Sequence, residues 1–402
     1  MQPMEDFVGS AQRLSADSES AGRRKRGRAD QSLAPAHRCL LALLRLGIGC
    51  GTGTLPEIPW ACWPDLYCLA WEHGVGALCF DGARCMPKGK GAPVSMMMRW
   101  YGETSGQHRQ KMAFDATVEA LALLFRHRGI PYVVFKGPAV ASLYPDPGRR
   151  AHGDIDFFVP SAYFAQAMAA VEAVPGVKVE RDDVDKHCGF DFRNVRFEMH
   201  YRMETFGYGP HQRYFGELVE NAMRHELPCF RAGEEDIPML PPMTDLMVIF
   251  KHWFNHLLGE GIGLRQTADL AVAIRAYRDK IHVGTLQSHL RAVGYIRAFD
   301  TVAAMVERYF GIAWDAYWNA SPEWTKEKAW NFAERLMHDV LRNGNFGRSS
   351  YRFPDGKLKR LETFSRFVAH CWRYRSLAPK DIIYMVPKRC LISFRAQLMH
   401  HN

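Results

Sequence analysis

No stretch of the 402 residues stays apolar for the ~20 positions that a membrane-crossing helix needs. The best candidate, Leu40 to Ile48, is short and is interrupted by Arg45. The first twenty residues are polar and mixed in charge, without the apolar centre of an export signal. None of the ten cysteines forms a C-x-x-C pair, which argues against a structural zinc site. Six of them lie between Cys39 and Cys85. Disulfide scaffolds are usually short secreted chains, so these thiols are expected to be reduced and the protein cytoplasmic. No internal repeat is visible.

What is present is ordinary for a folded chain: 47% hydrophobic and 24% charged residues, with 10 Trp and 24 Phe to fill a core. The length suits two packed domains, or one large domain with an extension. The net charge of +9 is uneven, because Arg342 to Arg395 holds 13 Lys or Arg against three acids, Asp355, Glu362 and Asp381. That segment accounts for the whole excess. A basic surface favours an anionic partner, although a merely solubilising face explains it equally well. Its aromatic residues, Phe367, Trp372 and Tyr374 among them, are expected to pack inward rather than lie on a membrane.

Residues 1–34 are expected to be a disordered tail, rich in Ser, Ala, Gly and charge. Residues 35–130 read as helical, with a long helix over 93–128. Residues 131–232 carry short β-branched and aromatic runs: 132–135, 155–159, 177–180, 189–193 and 195–201. Residues 233–402 return to helical periodicity, with Thr244 a plausible N-cap for a helix through Leu258. The expected fold is α+β, a small mixed sheet flanked by N-terminal helices and a C-terminal helical region.

The central motif is Gly153-Asp154-Ile155-Asp156-Phe157-Phe158-Val159. Alternation on a strand sends Asp154 and Asp156 to one side and Ile155, Phe157 and Val159 to the other. Two parallel carboxylates on an apolar strand repel unless a cation sits between them, and Mg²⁺ prefers a few carboxylates plus substrate phosphates. A second alternating strand, Val195 to Arg202, puts Glu198 and His200 on one face. Beside the first strand, Glu198 would complete a three-carboxylate site able to align a hydroxyl nucleophile against a pyrophosphate leaving group. Upstream, Lys136-Gly137 follows a short strand and suits phosphate approach. Arg149 and Arg150 offer two more cations near the proposed metal. His252 and His256 lie one helical turn apart but lack the Glu of a zincin motif, so a structural or substrate-contacting role is expected for them. Arg265 and Asp269, four apart, suit either a helix salt bridge or the wall of a nucleotide pocket.

The run F-K-G-P-A-V-A-S-L-Y-P-D-P-G-R-R-A-H-G-D-I-D-F-F-V, followed by F-E-M-H-Y-R, resembles the uncharacterised bacterial nucleotidyltransferase family within the DNA-polymerase-β-like superfamily. The likeness extends over about 40 to 390, through Phe250 to His256, Gly263 to Leu270 and Gly344 to Gly347, and is strongest over 133–202. It implies metal binding by Asp154 and Asp156, with Glu198 as the third acid. Lys136-Gly137 matches the family form of the glycine motif, and Arg150 sits in the family pattern.

The expected activity is transfer of an NMP from an NTP, ATP first among candidates, with Mg²⁺ or Mn²⁺ and release of pyrophosphate. Lys136, Gly137, Arg150, His256 and Arg265 are the expected nucleotide contacts. The acceptor is not legible: a small molecule, a peptide or a protein, with nucleic acid less favoured. Two other classes fit parts of the pattern. A glycosyltransferase also uses D-x-D, but it normally needs a larger doubly wound domain and leaves Glu198 unexplained. A non-catalytic nucleotide-binding protein would have no need of all three acids.

Overall fold

A computed structural model describes residues 33–51, 57–181, 187–320, 324–343 and 356–399. The expected tail lies outside the described residues except at its end, as does the Gly344 to Gly347 motif. The N-terminal helices are α1 (Pro35–Gly47), α2 (Trp63–Glu72), α3 (Gly76–Arg84) and the long α4 (Val94–His127). Then come β1 (Val133–Phe135), the short α5 (Gly137–Ala141), β2 (Ile155–Phe158), α6 (Phe164–Glu172), β3 (Val179–Arg181), β4 (His187–Phe192) and β5 (Val195–His200). After α7 (Gly209–Ala222), strands β6 (Cys229–Ala232) and β7 (Glu235–Pro238) form a hairpin. The remainder is helical: α8 (Pro242–Leu258), α9 (Leu264–Tyr277), α10 (Val283–Ala292), α11 (Ile296–Phe310), α12 (Asp315–Asn319), α13 (Lys326–Asn343), α14 (Gly356–Tyr374) and α15 (Pro379–Met399). Among the described residues no helix is long and apolar enough to cross a membrane. The cysteines are free thiols.

The five-stranded sheet runs β1-β2-β5-β4-β3, with β2 and β5 parallel and the other neighbours antiparallel. The alternation expected from the sequence sets its faces. Ile155, Phe157, Val159, Phe197 and Met199 are buried with Val118, Leu121 and Phe125 of α4 and Ala167 and Val171 of α6. A larger core joins the N-terminal helices to α8, α9 and α11 and takes in Val133 and Phe135 of β1. The sheet therefore lies between two cores, and its polar residues emerge where α8 passes the second face. The β6–β7 hairpin runs past the boundary expected at 232, and Ile237 joins the core under the sheet.

The β4–β5 hairpin closes through Arg193 and Asn194, both at positive φ (50° and 61°). That pair of conformations belongs to the tight two-residue turn whose twist matches its strands. It fixes Phe192 opposite Val195 and, further along, His187 opposite His200.

The structure corrects the expected cap at Thr244. α8 begins at Pro242, and no side chain caps it. Thr244 and Asp245 lie inside its first turn and are buried. Proline starts a helix readily because its fixed φ suits the first turn and its missing N–H would be unpaired there anyway. Asp245 accepts a hydrogen bond from the Tyr277 hydroxyl at 2.8 Å. Burial pushes its carboxyl up to about 7 against the pull of that bond. A folded-state pKa above the unfolded value gives a contribution that is whole at low pH and is lost as pH rises through about 7. Asp245→Asn should therefore gain stability relative to the native chain between about pH 4 and pH 7.5, on the order of a few kcal/mol. Urea titrations at the two pH values check this; a constant difference would contradict it.

Candidate active site

Phe135 pairs with Asp156 across the antiparallel β1–β2 ladder, and Asp156 pairs with Glu198 across the parallel β2–β5 ladder. Residues in register share a face of the sheet, so Asp156 and Glu198 stand side by side, away from Phe157 and Phe197. Asp154 lies one residue before β2 and is exposed. Partial desolvation of its carboxyl, then the charges of Glu198 and Asp156, raise its pKa.

Asp156 is the most enclosed of the three. Its Oδ1 lies 2.8 Å from His200 Nε2 and 3.6 Å from Lys136 Nζ. Burial alone would raise this carboxyl, but Lys136 and His200 outweigh it and hold the group well below the ordinary carboxylate range. Glu198 Oε2 lies 3.4 Å from His200 Nε2, and its Oε1 lies 3.7 Å from His187 Nε2. Here too burial works upward and is outweighed, chiefly by the hydrogen bond with His200, so the pKa is lowered.

Lys136 leaves β1 with φ 57° and ψ −141°, where residues with a side chain are rarely found. Such a conformation costs about 1–3 kcal/mol and persists only where its surroundings impose it. The buried Nζ supplies the constraint, lying 3.1 Å from Glu204 Oε1 as well as near Asp156. Burial would lower this ammonium's pKa, yet Asp156 and Glu204 outweigh it and raise the value. Gly137 follows at φ 23°, where a Cβ would come within 3.2 Å of the Asp154 carbonyl oxygen. The turn thus lays the backbone of 136–137 against that of Asp154. Glu204 has no exposed surface; it receives the Asn255 side-chain N–H at 2.7 Å and lies 3.2 Å from His252 Nδ1. Lys136, Asn255 and His252 together fasten α8 to the sheet.

The family described as uncharacterised nucleotidyltransferase matches residues 61–311, more than half of the chain. This protein belongs to that nucleotidyltransferase family. No curated protein matches it. Among solved structures it is similar to the crystal structure of ANT(2")-Ia in complex with adenylyl-2"-tobramycin, at 11% identity and a TM-score of 0.30, over 45% of this chain and 97% of that one. A likeness this distant adds nothing to the assignment. The family match spans the whole sheet and the helices α8 to α11, so both layers around the acids belong to the nucleotidyltransferase unit.

Within this nucleotidyltransferase, two of the expected cations turn out to be engaged elsewhere. Arg150 is buried and grips Asp269 of α9 with two bonds, Nε to Oδ1 at 2.7 Å and Nη2 to Oδ2 at 2.8 Å, while Nη1 donates to the Ala151 carbonyl. The Tyr144 hydroxyl donates to the same Asp269 Oδ1 at 2.8 Å. Arg150 is therefore a brace between the 144–150 loop and α9. Arg149 points away from the acids and pairs with Asp81 of α3 at 2.8 Å and with Asp146 at 3.2 Å. The Asp269 carboxylate is thus taken up by Arg150 and Tyr144, partners that neither reading of the Arg265–Asp269 spacing named.

Arg265 does approach the carboxylates: a Cβ on Gly153 would lie 3.6 Å from its Nη1. Burial, then the neighbouring Arg150, lower its pKa to about 10, so it remains a cation at neutral pH. His256 stands edge-on to His252, ring centres 4.4 Å apart. His152, for which the sequence suggested no role, stacks near Phe114 with ring centres 5.1 Å apart. Burial, then Arg150, lower its pKa to about 4, so it is neutral at physiological pH.

Three residues of the cluster escaped the sequence reading: His187, Glu204 and Asn255. His187 reaches the site only through the β4–β5 register. Glu204 lies past the end of β5, where strand alternation gives no signal. Asn255 sits between His252 and His256, which drew attention by their spacing.

Proposed function

We propose that this nucleotidyltransferase moves a nucleoside monophosphate from an NTP, with ATP the first candidate, onto an acceptor and releases pyrophosphate. The observation that carries the reading is the β2–β5 register, which sets Asp156 beside Glu198 with Asp154 one residue outside the strand. A divalent cation is compatible with these residues: the register sets Asp156 beside Glu198, and after burial the charges of Glu198 and Asp156 work to raise the Asp154 carboxyl, a repulsion that bound positive charge would relieve. Oxygen donors of this kind suit Mg²⁺ or Mn²⁺. When bound, the cation supplies charge neutralisation and alignment of the triphosphate.

In this reading Asp154, Asp156 and Glu198 hold the cation. Glu198, with its lowered pKa, is a poor proton acceptor, which favours the ligand role over that of general base. Arg265, beside Gly153, supplies positive charge near the phosphates. Gly137, whose missing Cβ lets the turn sit against the Asp154 carbonyl, begins the short helix α5, whose first backbone N–H groups would meet a phosphate in this reading. His256, half-buried on α8, contacts the nucleotide in this reading. Lys136 and Arg150 act one step back: Lys136 keeps Asp156 ionised and in place, and Arg150 braces α9, which carries Arg265. Catalysis then comes from positioning and charge complementarity.

The acceptor is a small molecule, a peptide or a protein, and nucleic acid is less favoured. NTP chemistry together with free thiols suits a cytoplasmic setting. The test is incubation of the protein with each α-³²P-labelled NTP, Mg²⁺ or Mn²⁺, and a cell lysate. Label should pass to an acceptor with one NTP preferred; no transfer from any NTP by folded protein in protein-rich and metabolite-rich fractions would contradict the reading.

A further inference from the structure

The β4–β5 ladder does something that the three carboxylates do not require. His187 is the direct cross-strand partner of His200, and Glu198 precedes His200 by two residues on the same face. The two imidazole rings lie 4.9 Å apart at 40°. Donor atoms of His187, Glu198 and His200 all fall within 4.8 Å of one another. Glu198 uses one oxygen toward each ring: Oε2 is 3.4 Å from His200 Nε2 and Oε1 is 3.7 Å from His187 Nε2. His200 is fully buried and His187 partly so, which separates this group from an exposed acidic patch.

We propose that His187, Glu198 and His200 form a second cation site, one that selects a first-row transition ion such as Mn²⁺, Co²⁺ or Zn²⁺ over Mg²⁺. Imidazole nitrogen suits borderline Co²⁺ and Zn²⁺ and is tolerated by Mn²⁺, whereas Mg²⁺ prefers oxygen and keeps its water. Two histidines and one carboxylate leave coordination positions open for further ligands. Glu198 is common to this site and to the carboxylate side, so the two positions adjoin across one side chain. The proposal deepens the nucleotidyl-transfer reading but rests on it only in sharing Glu198.

The test uses the full chain and metal alone, without nucleotide. Co²⁺ is titrated while its visible absorption is followed, and Mn²⁺ is examined by pulsed electron paramagnetic resonance for directly bound nitrogen. Nitrogen coupling and an intensified Co²⁺ spectrum are expected, resistant to excess Mg²⁺. H187A and H200A should each weaken Co²⁺ binding by about tenfold or more. H187A, at a partly exposed position, is the variant expected to fold without difficulty, as circular dichroism would verify. H252A should leave the Co²⁺ spectrum unchanged. Absence of Co²⁺ binding, Mn²⁺ without nitrogen coupling at every loading up to two ions per chain, or a spectrum lost in H252A but kept in H187A would overturn the site. Those outcomes leave nucleotidyl transfer untouched, because label transfer with Mg²⁺ is scored separately.

Discussion

Asp156→Asn is expected to lower nucleotidyl transfer by about a thousandfold or more while the chain still folds. The substitution keeps the shape and an acceptor for His200 but removes the charge at the centre of the site. That charge faces Lys136 at 3.6 Å and adjoins Glu198 across the ladder. Breaking a buried ion pair by removing one partner costs about 3–5 kcal/mol when the other is stranded. Lys136 is not stranded, because Glu204 remains 3.1 Å from its Nζ, so the stability loss should fall below that range. Asp154→Asn is the cleaner companion. Its side chain is exposed, so stability should change by only about 0.5 kcal/mol while transfer drops comparably. Label transfer and urea midpoints measured on both variants separate the two effects. Asp156→Asn with transfer within about tenfold of native would remove the carboxylate from the mechanism.

The largest loss of stability is expected outside the sheet, at Asp381 in the first turn of α15. Its carboxylate has no exposed surface. It accepts the Tyr208 backbone N–H at 2.9 Å and the Tyr295 hydroxyl at 2.5 Å, with His211 Nδ1 at 3.7 Å and Lys251 Nζ at 3.8 Å. The chain packs so closely here that a Cβ on Gly207 would lie 2.2 Å from the Asp381 carbonyl oxygen. Asp381→Ala strands two donors and leaves Lys251 short of a buried counter-charge, a change worth about 3–5 kcal/mol. Asp381→Asn keeps one oxygen for the Tyr208 N–H and turns an NH2 toward the Tyr295 hydroxyl, which can accept it after rotating, so it should cost less than alanine. A urea midpoint unchanged in the alanine variant would contradict this account. Lys251 also donates to the Thr205 carbonyl, next to Glu204, so the same network ties the C-terminal helix to the wall of the site.

The sheet was legible because period-two alternation is a local property. Asp154 to Val159 and Val195 to Tyr201 each announce a strand with one apolar face, and both are found. That they adjoin in parallel, and that His187 comes opposite His200, depends on a crossover and a two-residue turn, which the spacing alone does not reveal. The arginines show the same limit. Arg149 and Arg150 lie beside the acids in sequence, but their partners Asp81 and Asp269 are distant along the chain and close in space. The expected inward packing of aromatic residues in the basic C-terminal segment holds for Phe367 and Tyr374 and fails for Trp372. Phe367 and Tyr374 are buried, while Trp372 stays exposed with the Arg375 guanidinium 4.1 Å from its ring centre. Asp381, one of only three acids there, carried no sign in the sequence that it would be buried among Tyr208, Tyr295 and Lys251.

The most direct measurement compares α-³²P-labelled and γ-³²P-labelled forms of the preferred NTP, using native protein and the Asp154→Asn, Asp156→Asn double variant. Nucleotidyl transfer predicts label on the acceptor from the α position only, γ label recovered in pyrophosphate, and neither signal with the double variant. Label on the acceptor from the γ position, or α-label transfer that persists in the double variant, would contradict it.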